Sequence, residues 1–147
     1  MKFSNEAMRD VLLFIESNAK YETHERNFGE EKTTYNLPMI LNDPYFSRPI
    51  KEQRYSKDEL QYTIEKMVEG HLLIAEGNTK TYLRIIDTSY DGIQLLNAIR
   101  SPSIWAKTKK ITTKIGNSTL DMIKSVAQKL AIEGLEIVLS NINFTDM

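Results

Sequence analysis

The sequence predicts an α+β fold, mostly helical. Capping motifs precede apolar residues at three-and-four spacing several times along the chain, one pair of short β-rich runs flanks a glycine turn, and 147 residues with 41% apolar content hold enough for one core with a helical appendage. Lys and Arg number 19 against 20 Asp and Glu, so the whole-chain charge announces neither a nucleic-acid nor a membrane partner. There is no cysteine, which excludes disulfides, thiolate metal sites and a cysteine nucleophile and suits a reducing compartment. The expected location is the cytoplasm. Met1-Lys2-Phe3-Ser4-Asn5-Glu6 is polar and acidic from the start, and no stretch approaches the roughly 20 apolar residues that cross a bilayer, so neither a signal peptide nor a membrane partner is expected.

The first helix should follow Ser4 or Asn5, whose side chains accept a free backbone N–H, because Ala7, Val11, Leu12 and Ile15 recur at helical spacing and Phe14 widens the stripe. After Asn18 the periodicity stops. Residues 19–55 are rich in Asn, Thr, Pro, Glu and Tyr, and read as a long irregular insertion in which Leu37, Met39, Ile40 and Leu41 dock on the core and Pro44 and Pro49 favour extended segments before them.

Ser56-Lys57-Asp58-Glu59 fits a capping box, in which serine and glutamate satisfy each other's free N–H groups, and Leu60, Ile64, Met67 and Val68 mark the buried face of the helix behind it. Gly70 should end that helix in a left-handed turn. Leu72-Leu73-Ile74-Ala75 and Tyr82-Leu83-Arg84-Ile85-Ile86 then form a hairpin around Gly77-Asn78, with Lys80 at its tip. Thr88 and Asp91 make a second capping pair ahead of Ile93, Leu95, Leu96 and Ile99. Pro102 after Ser101 starts a helix with Ile104, Trp105 and Ile111, and Ser118 with Asp121 opens another with Leu120, Ile123, Ala127 and Leu130. Residues 135–147 are too apolar for a free tail, and their pattern leaves strand and helix open.

A helix that feeds straight into a β-hairpin, followed by further helices, is the core of winged helix-turn-helix domains. The expected architecture is therefore a winged-helix-like domain over residues 1–115, interrupted at 19–55, and a C-terminal helical extension over 116–147 that packs on it or mediates dimerisation. In such domains the helix before the hairpin enters a major groove and the hairpin, or wing, reaches backbone or minor groove.

Tyr55-Ser56-Lys57-Asp58-Glu59-Leu60, Tyr62, Met67 and Leu72, Tyr90-Asp91-Gly92, Leu96-Asn97-Ala98-Ile99-Arg100, Ile104-Trp105-Ala106-Lys107 and Leu120-Asp121-Met122-Ile123-Lys124 resemble the bacterial and phage family catalogued as domain of unknown function 2513. The resemblance runs from about Tyr55 to Leu130, with a weaker echo in the first helix. It implies a winged-helix-like domain of bacteria or their phages and no activity. His71 stands where the family leads one to expect glycine, and Thr63 where a histidine is common.

No enzyme chemistry is legible. His24 and His71 are the only histidines, far apart and without a carboxylate cluster in metal-ligand spacing, so no metal is expected; His71 suits the carbonyls at a helix end, and His24 a solvated loop. The six glycines make neither a phosphate loop nor a dinucleotide turn, and Glu30-Glu31 and Asp58-Glu59 are adjacent pairs that point to different faces of a helix, so no cofactor and no catalytic residue is assigned.

Two kinds of partner remain open. Between Lys80 and Lys129 nine basic residues face only Asp87, Asp91 and Asp121, a surplus able to neutralise the phosphates of double-stranded DNA. The candidate DNA-binding residues are Lys57, Gln61 and Tyr62 on the helix before the hairpin and Lys80 and Arg84 on the wing. That helix, however, sets Lys57 and Lys66 against Asp58, Glu59, Glu65 and Glu69, which repels phosphate and suits a protein partner instead, as in an accessory protein of a phage or mobile element. Trp105, beside Lys107, Lys109 and Lys110, reads as a core anchor rather than a base-stacking platform. Leu120, Ile123, Ala127 and Leu130 form a seam that serves either intramolecular packing or a homodimer.

Overall fold

The computed structural model describes residues 2–23, 30–47, 54–78, 82–116 and 119–141. The fold is α+β, with seven helices and small antiparallel sheets among these residues. The chain groups into two compact units, Met1–Ile93 and Gln94–Met147.

In the first unit, α1 (Asn5–Asn18) is capped by Ser4, whose hydroxyl accepts the Ala7 N–H at 3.1 Å, and it buries Ala7, Met8, Val11, Leu12 and Ile15 as the spacing requires. It packs against α4 (Lys57–Glu69), which buries Leu60, Thr63, Ile64 and Met67. Ser56 caps α4 by accepting the Glu59 N–H at 3.1 Å. The two helices are also joined by a polar bond, since the buried Thr63 hydroxyl accepts the Ser4 N–H at 3.0 Å. Thr63 thereby satisfies a backbone donor at the entry to α1.

The left-handed residue after α4 is His71, with φ 61°, and not Gly70, whose φ is −80°. His71 N–H bonds to the Val68 carbonyl at 3.1 Å and Leu72 N–H to the Met67 carbonyl at 2.9 Å, the two bonds of a Schellman turn, and both Met67 and Leu72 are fully buried. The chain thus turns at once into β4 (Leu73–Asn78), which pairs antiparallel with β5 (Tyr82–Thr88). Leu83 and Ile85 alternate inward along β5. β4 reaches past Gly77 to Asn78, beyond the point where the sequence places the turn.

The 19–55 stretch, expected to be irregular, is partly ordered into elements. β1 (Tyr21–Thr23) pairs with β2 (Glu30–Lys32), β3 (Tyr35–Asn36) adds to the free edge of β5 to give the order β3-β5-β4, and α2 (Leu37–Asn42) and α3 (Pro44–Ser47) follow. What docks this stretch is aromatic. Phe14 of α1 meets Tyr35 edge-on with ring centres 5.8 Å apart and Phe46 at 5.3 Å, while Leu37, Ile40 and Phe46 are buried. The runs between these anchors are too short to show a period, which is why the sequence reads as a loop.

Helix α5 (Tyr90–Ile99) begins under Ser89, not the Thr88 and Asp91 pair predicted: the Ser89 hydroxyl accepts the Gly92 N–H at 3.0 Å, and Thr88 is the buried last residue of β5. In the second unit, Ser101 caps α6 (Pro102–Ile115), which packs against α7 (Leu120–Asn141). Trp105, Thr108 and Thr112 are its buried side, and the two hydroxyls bond to carbonyls of their own helix, Thr108 to Ile104 at 2.7 Å and Thr112 to Thr108 at 3.0 Å. The predicted cap Ser118 lies outside the described residues, and Thr119 accepts the Met122 N–H at 3.4 Å. The choice left open for 135–147 resolves as helix as far as Asn141; the rest lies outside the described residues.

Candidate functional site

The residues around the start of α4 are fixed by a cluster on Asp10 of α1. The Tyr55 hydroxyl donates to the Asp10 carboxylate at 2.6 Å, and the Arg54 guanidinium lies 3.4 Å from the same oxygen and over the ring of Tyr45 at 5.2 Å. Burial, and then the hydrogen bond to Asp10, push the Tyr55 phenol far above its ordinary pKa. Lys32, the last residue of β2, pairs with Asp87 of β5 at 3.0 Å, and that hydrogen bond raises the pKa of the lysine.

With α4 and the hairpin so placed, Lys57, Gln61 and Tyr62 do lie together on α4, and Arg84 lies on β5, whereas Lys80 is outside the described residues. Their hydrogen-bonding capacity is partly occupied. The Lys57 ammonium donates to the Asn42 side chain at 3.2 Å and Gln61 to Glu65 at 3.2 Å. Tyr62 is half-buried with the Lys66 ammonium 5.4 Å from its ring centre, and Lys66 itself pairs with Glu69 at 2.7 Å, which raises its pKa above the usual lysine value. Arg84 faces Glu76 across the hairpin in an ion pair. Lys66 and Arg84 are thus engaged by carboxylates of the same helix or hairpin, and Lys57 by the amide oxygen of Asn42 in α2.

His71 is exposed and acts through its backbone, since its carbonyl accepts the Ser89 hydroxyl while its left-handed conformation closes α4. His24 lies outside the described residues. Among the described residues no group of three or more His, Cys, Asp or Glu is disposed to hold a metal, and no helix is long and apolar enough to cross a membrane.

A family model described as "Hypothetical protein (DUF2513)" matches residues 2–118. The chain belongs to the DUF2513 family. The matched span takes in α1, the whole of the 19–55 stretch and everything up to the end of α6, and stops before α7; it therefore begins earlier and ends earlier than the Tyr55 to Leu130 span on which the resemblance was read. No curated protein and no solved structure matches the chain.

The second unit of this DUF2513 protein carries a different surface. Of the seam residues on α7, which packs with α6, Ile123 and Ala127 are buried and Leu120 and Leu130 are half-buried. Ile132, Leu135, Ile137, Val138 and Leu139, further along α7, are exposed. A shallow, open groove of about 340 Å³ is lined by Gln94, Asn97, Ala98, Gln128, Ala131 and Ile132, with no ionisable side chain. Trp105 is buried, as expected of a core anchor, with the Lys109 ammonium 5.5 Å from its ring centre. Helix α6 holds four lysines and no carboxylate. Lys107, Lys110 and Lys114 among them are exposed and share one face.

Proposed function

We propose that the first unit is a winged helix-turn-helix-like domain and that the protein is a cytoplasmic, non-catalytic, DNA-associated regulator that acts by binding duplex DNA. The observation that carries this reading is topological. α1, β3, α2, α4 and the β4–β5 hairpin follow one another in that order, the sheet order is β3-β5-β4, and α4 passes through a single turn into the hairpin. In winged-helix domains this arrangement presents the helix before the hairpin to a major groove and the hairpin to the flanking backbone. Function follows here from likeness of topology, and the direct test is a salt titration of the purified protein on random-sequence duplex. Measurable binding at low salt that weakens as salt rises is the expected result; no binding at low salt, or binding indifferent to salt, overturns it.

A second reading is favoured by the charge of α4: with Lys66 paired to Glu69, Asp58, Glu59 and Glu65 outnumber Lys57, which suits a protein partner. Glu65→Lys with Glu69→Lys separates the two. If α4 meets phosphates, the reversal of charge strengthens duplex binding several-fold; if that face belongs to a protein, duplex binding is unchanged.

A further inference from the structure

We propose that Lys107, Lys110 and Lys114 of α6 form a phosphate-contact surface for duplex DNA, which rests on the reading of the protein as DNA-associated but places the backbone contact in the second unit. The three lysines sit at i, i+3 and i+7. At about 100° per residue, each points away from the side that carries Trp105, Thr108 and Thr112, and the burial of those three residues fixes which way the lysines face. From Lys107 to Lys114 the helix rises roughly 10 Å, the axial span of about three phosphates on one strand. Ser103, Ala106 and Thr113, exposed on the same region of α6, are small and leave the face open to a broad polyanion.

The charge is also available. No Asp or Glu occurs between Asp91 and Asp121, and none of the three lysines has an ion-pair partner among the described residues. By contrast, Lys20, Lys32, Arg54, Lys66 and Arg84, all in the first unit, pair with Glu22, Asp87, Asp10, Glu69 and Glu76. Lys109 does not belong to the stripe, because its ammonium lies over Trp105.

The chemistry of the face selects among polyanions. A helix that lies on a lipid surface inserts a continuous apolar side; on α6 Trp105 is buried in the protein, Ile104 and Ile111 are half-buried, and Ile115 alone among the large apolar residues is exposed. Protein interfaces are depleted in lysine and enriched in arginine and aromatic residues, none of which is exposed on α6. Strongly hydrated ammonium groups on flexible stems, without a guanidinium fork or a ring, fit solvated phosphates approached without sequence reading.

The test compares the full-length protein with Lys107→Ala/Lys110→Ala/Lys114→Ala on random duplex across a salt series. Alanine is the better helix former and the three side chains are exposed, so the thermal transition should not fall, which separates loss of binding from loss of folding. Removal of three phosphate contacts lowers the slope of log affinity against log salt by about 3 and weakens binding roughly a hundredfold or more near 0.1 M salt. A wild-type protein that binds duplex with strong salt dependence, beside a triple variant of equal affinity and slope, overturns the α6 surface and leaves the DNA reading intact. Failure of the wild-type protein to bind overturns both. Binding to phosphatidylserine vesicles without binding to duplex overturns the proposal in favour of a lipid surface.

Discussion

Two glycines of this chain should respond in opposite directions to the same substitution. Gly92, in the first turn of α5, is buried, and a β-carbon added there would sit 2.3 Å from the Leu72 carbonyl oxygen and 2.5 Å from the Thr88 γ-methyl. The carbonyl would have to retreat by roughly 1 Å to reach ordinary contact. It is also the acceptor of the Ser89 N–H at 2.9 Å, the bond that joins the start of β4 to the start of α5. Overpacking of this kind costs about 1–3 kcal/mol, and loss of the hydrogen bond about 1 kcal/mol more. Against that stands the helix propensity of alanine over glycine, about 1 kcal/mol. The packing wins, and Gly92→Ala should destabilise the first unit by about 2 kcal/mol. Gly134, in the interior of α7, has nothing within 4 Å of the added carbon, so only the propensity operates and Gly134→Ala should stabilise by about 0.5–1 kcal/mol. Urea titrations followed by far-UV circular dichroism report on the whole chain, and fluorescence of Trp105, the single tryptophan, reports on the second unit. Equal shifts for the two variants, or a Gly92→Ala protein as stable as the parent, would refute the assignment of the close approach between α5 and the Leu72 carbonyl.

Three further substitutions probe the joints of the first unit. His71→Gly should raise stability by about 1 kcal/mol in the same titration, because the exposed His71 holds φ 61°, a conformation that strains a side-chain-bearing residue and not glycine; no change would mean the turn relaxes at no cost. Thr63→Val keeps the shape of the α1–α4 contact but leaves the Ser4 N–H without its acceptor, and should cost about 1–3 kcal/mol, with faster hydrogen exchange at the start of α1. Tyr55→Phe should alter the alkaline limb of the stability curve. The folded state holds this phenol protonated above the pH at which the unfolded chain releases the proton, about 10, so its contribution is complete below that pH and is lost above it, by up to about 1.4 kcal/mol per pH unit. The variant, weaker at neutral pH by the lost bond to Asp10, should show a correspondingly shallower fall above pH 10; parallel curves would exclude that role.

The parts of the fold that were legible in the sequence are those where a local signal and tertiary packing agree. Ser4, Ser56 and Ser101 each stand before an apolar stripe of helical period, and each caps the expected helix. The alternation of Leu83 and Ile85 similarly marks a strand with one buried side. Misreadings occur where two oxygen-bearing residues compete for one end. Thr88 and Ser89 are both competent caps, but Thr88 is claimed by β5 and buried there, which leaves Ser89 to meet the Gly92 N–H. The same holds for Gly70 and His71, where the Schellman bonds from residues 71 and 72 fix the left-handed position one residue beyond the glycine. The 19–55 stretch was illegible for another reason: β3 is two residues long and exists because β5 offers it an edge, and the aromatic contacts to Phe14 come from residues far away in the chain.

Charge was the least legible property, because a sequence counts ions while a fold decides which are engaged. The basic surplus between Lys80 and Lys129 looks continuous along the chain. In the structure Arg84 faces Glu76, whereas Lys107, Lys110 and Lys114 stand on a helix with no acid of its own. A paired surface cation has already exchanged part of its hydration for a carboxylate, and phosphate must displace that carboxylate before it gains the contact. An exposed, unpaired lysine gives up only its condensed counterions and water. Equal formal charge on the hairpin and on α6 therefore does not mean equal attraction for a polyanion. On this argument Arg84→Ala should change duplex affinity by much less than the loss of any one lysine of the α6 stripe, although a ranking by place in a winged helix would put the hairpin arginine first.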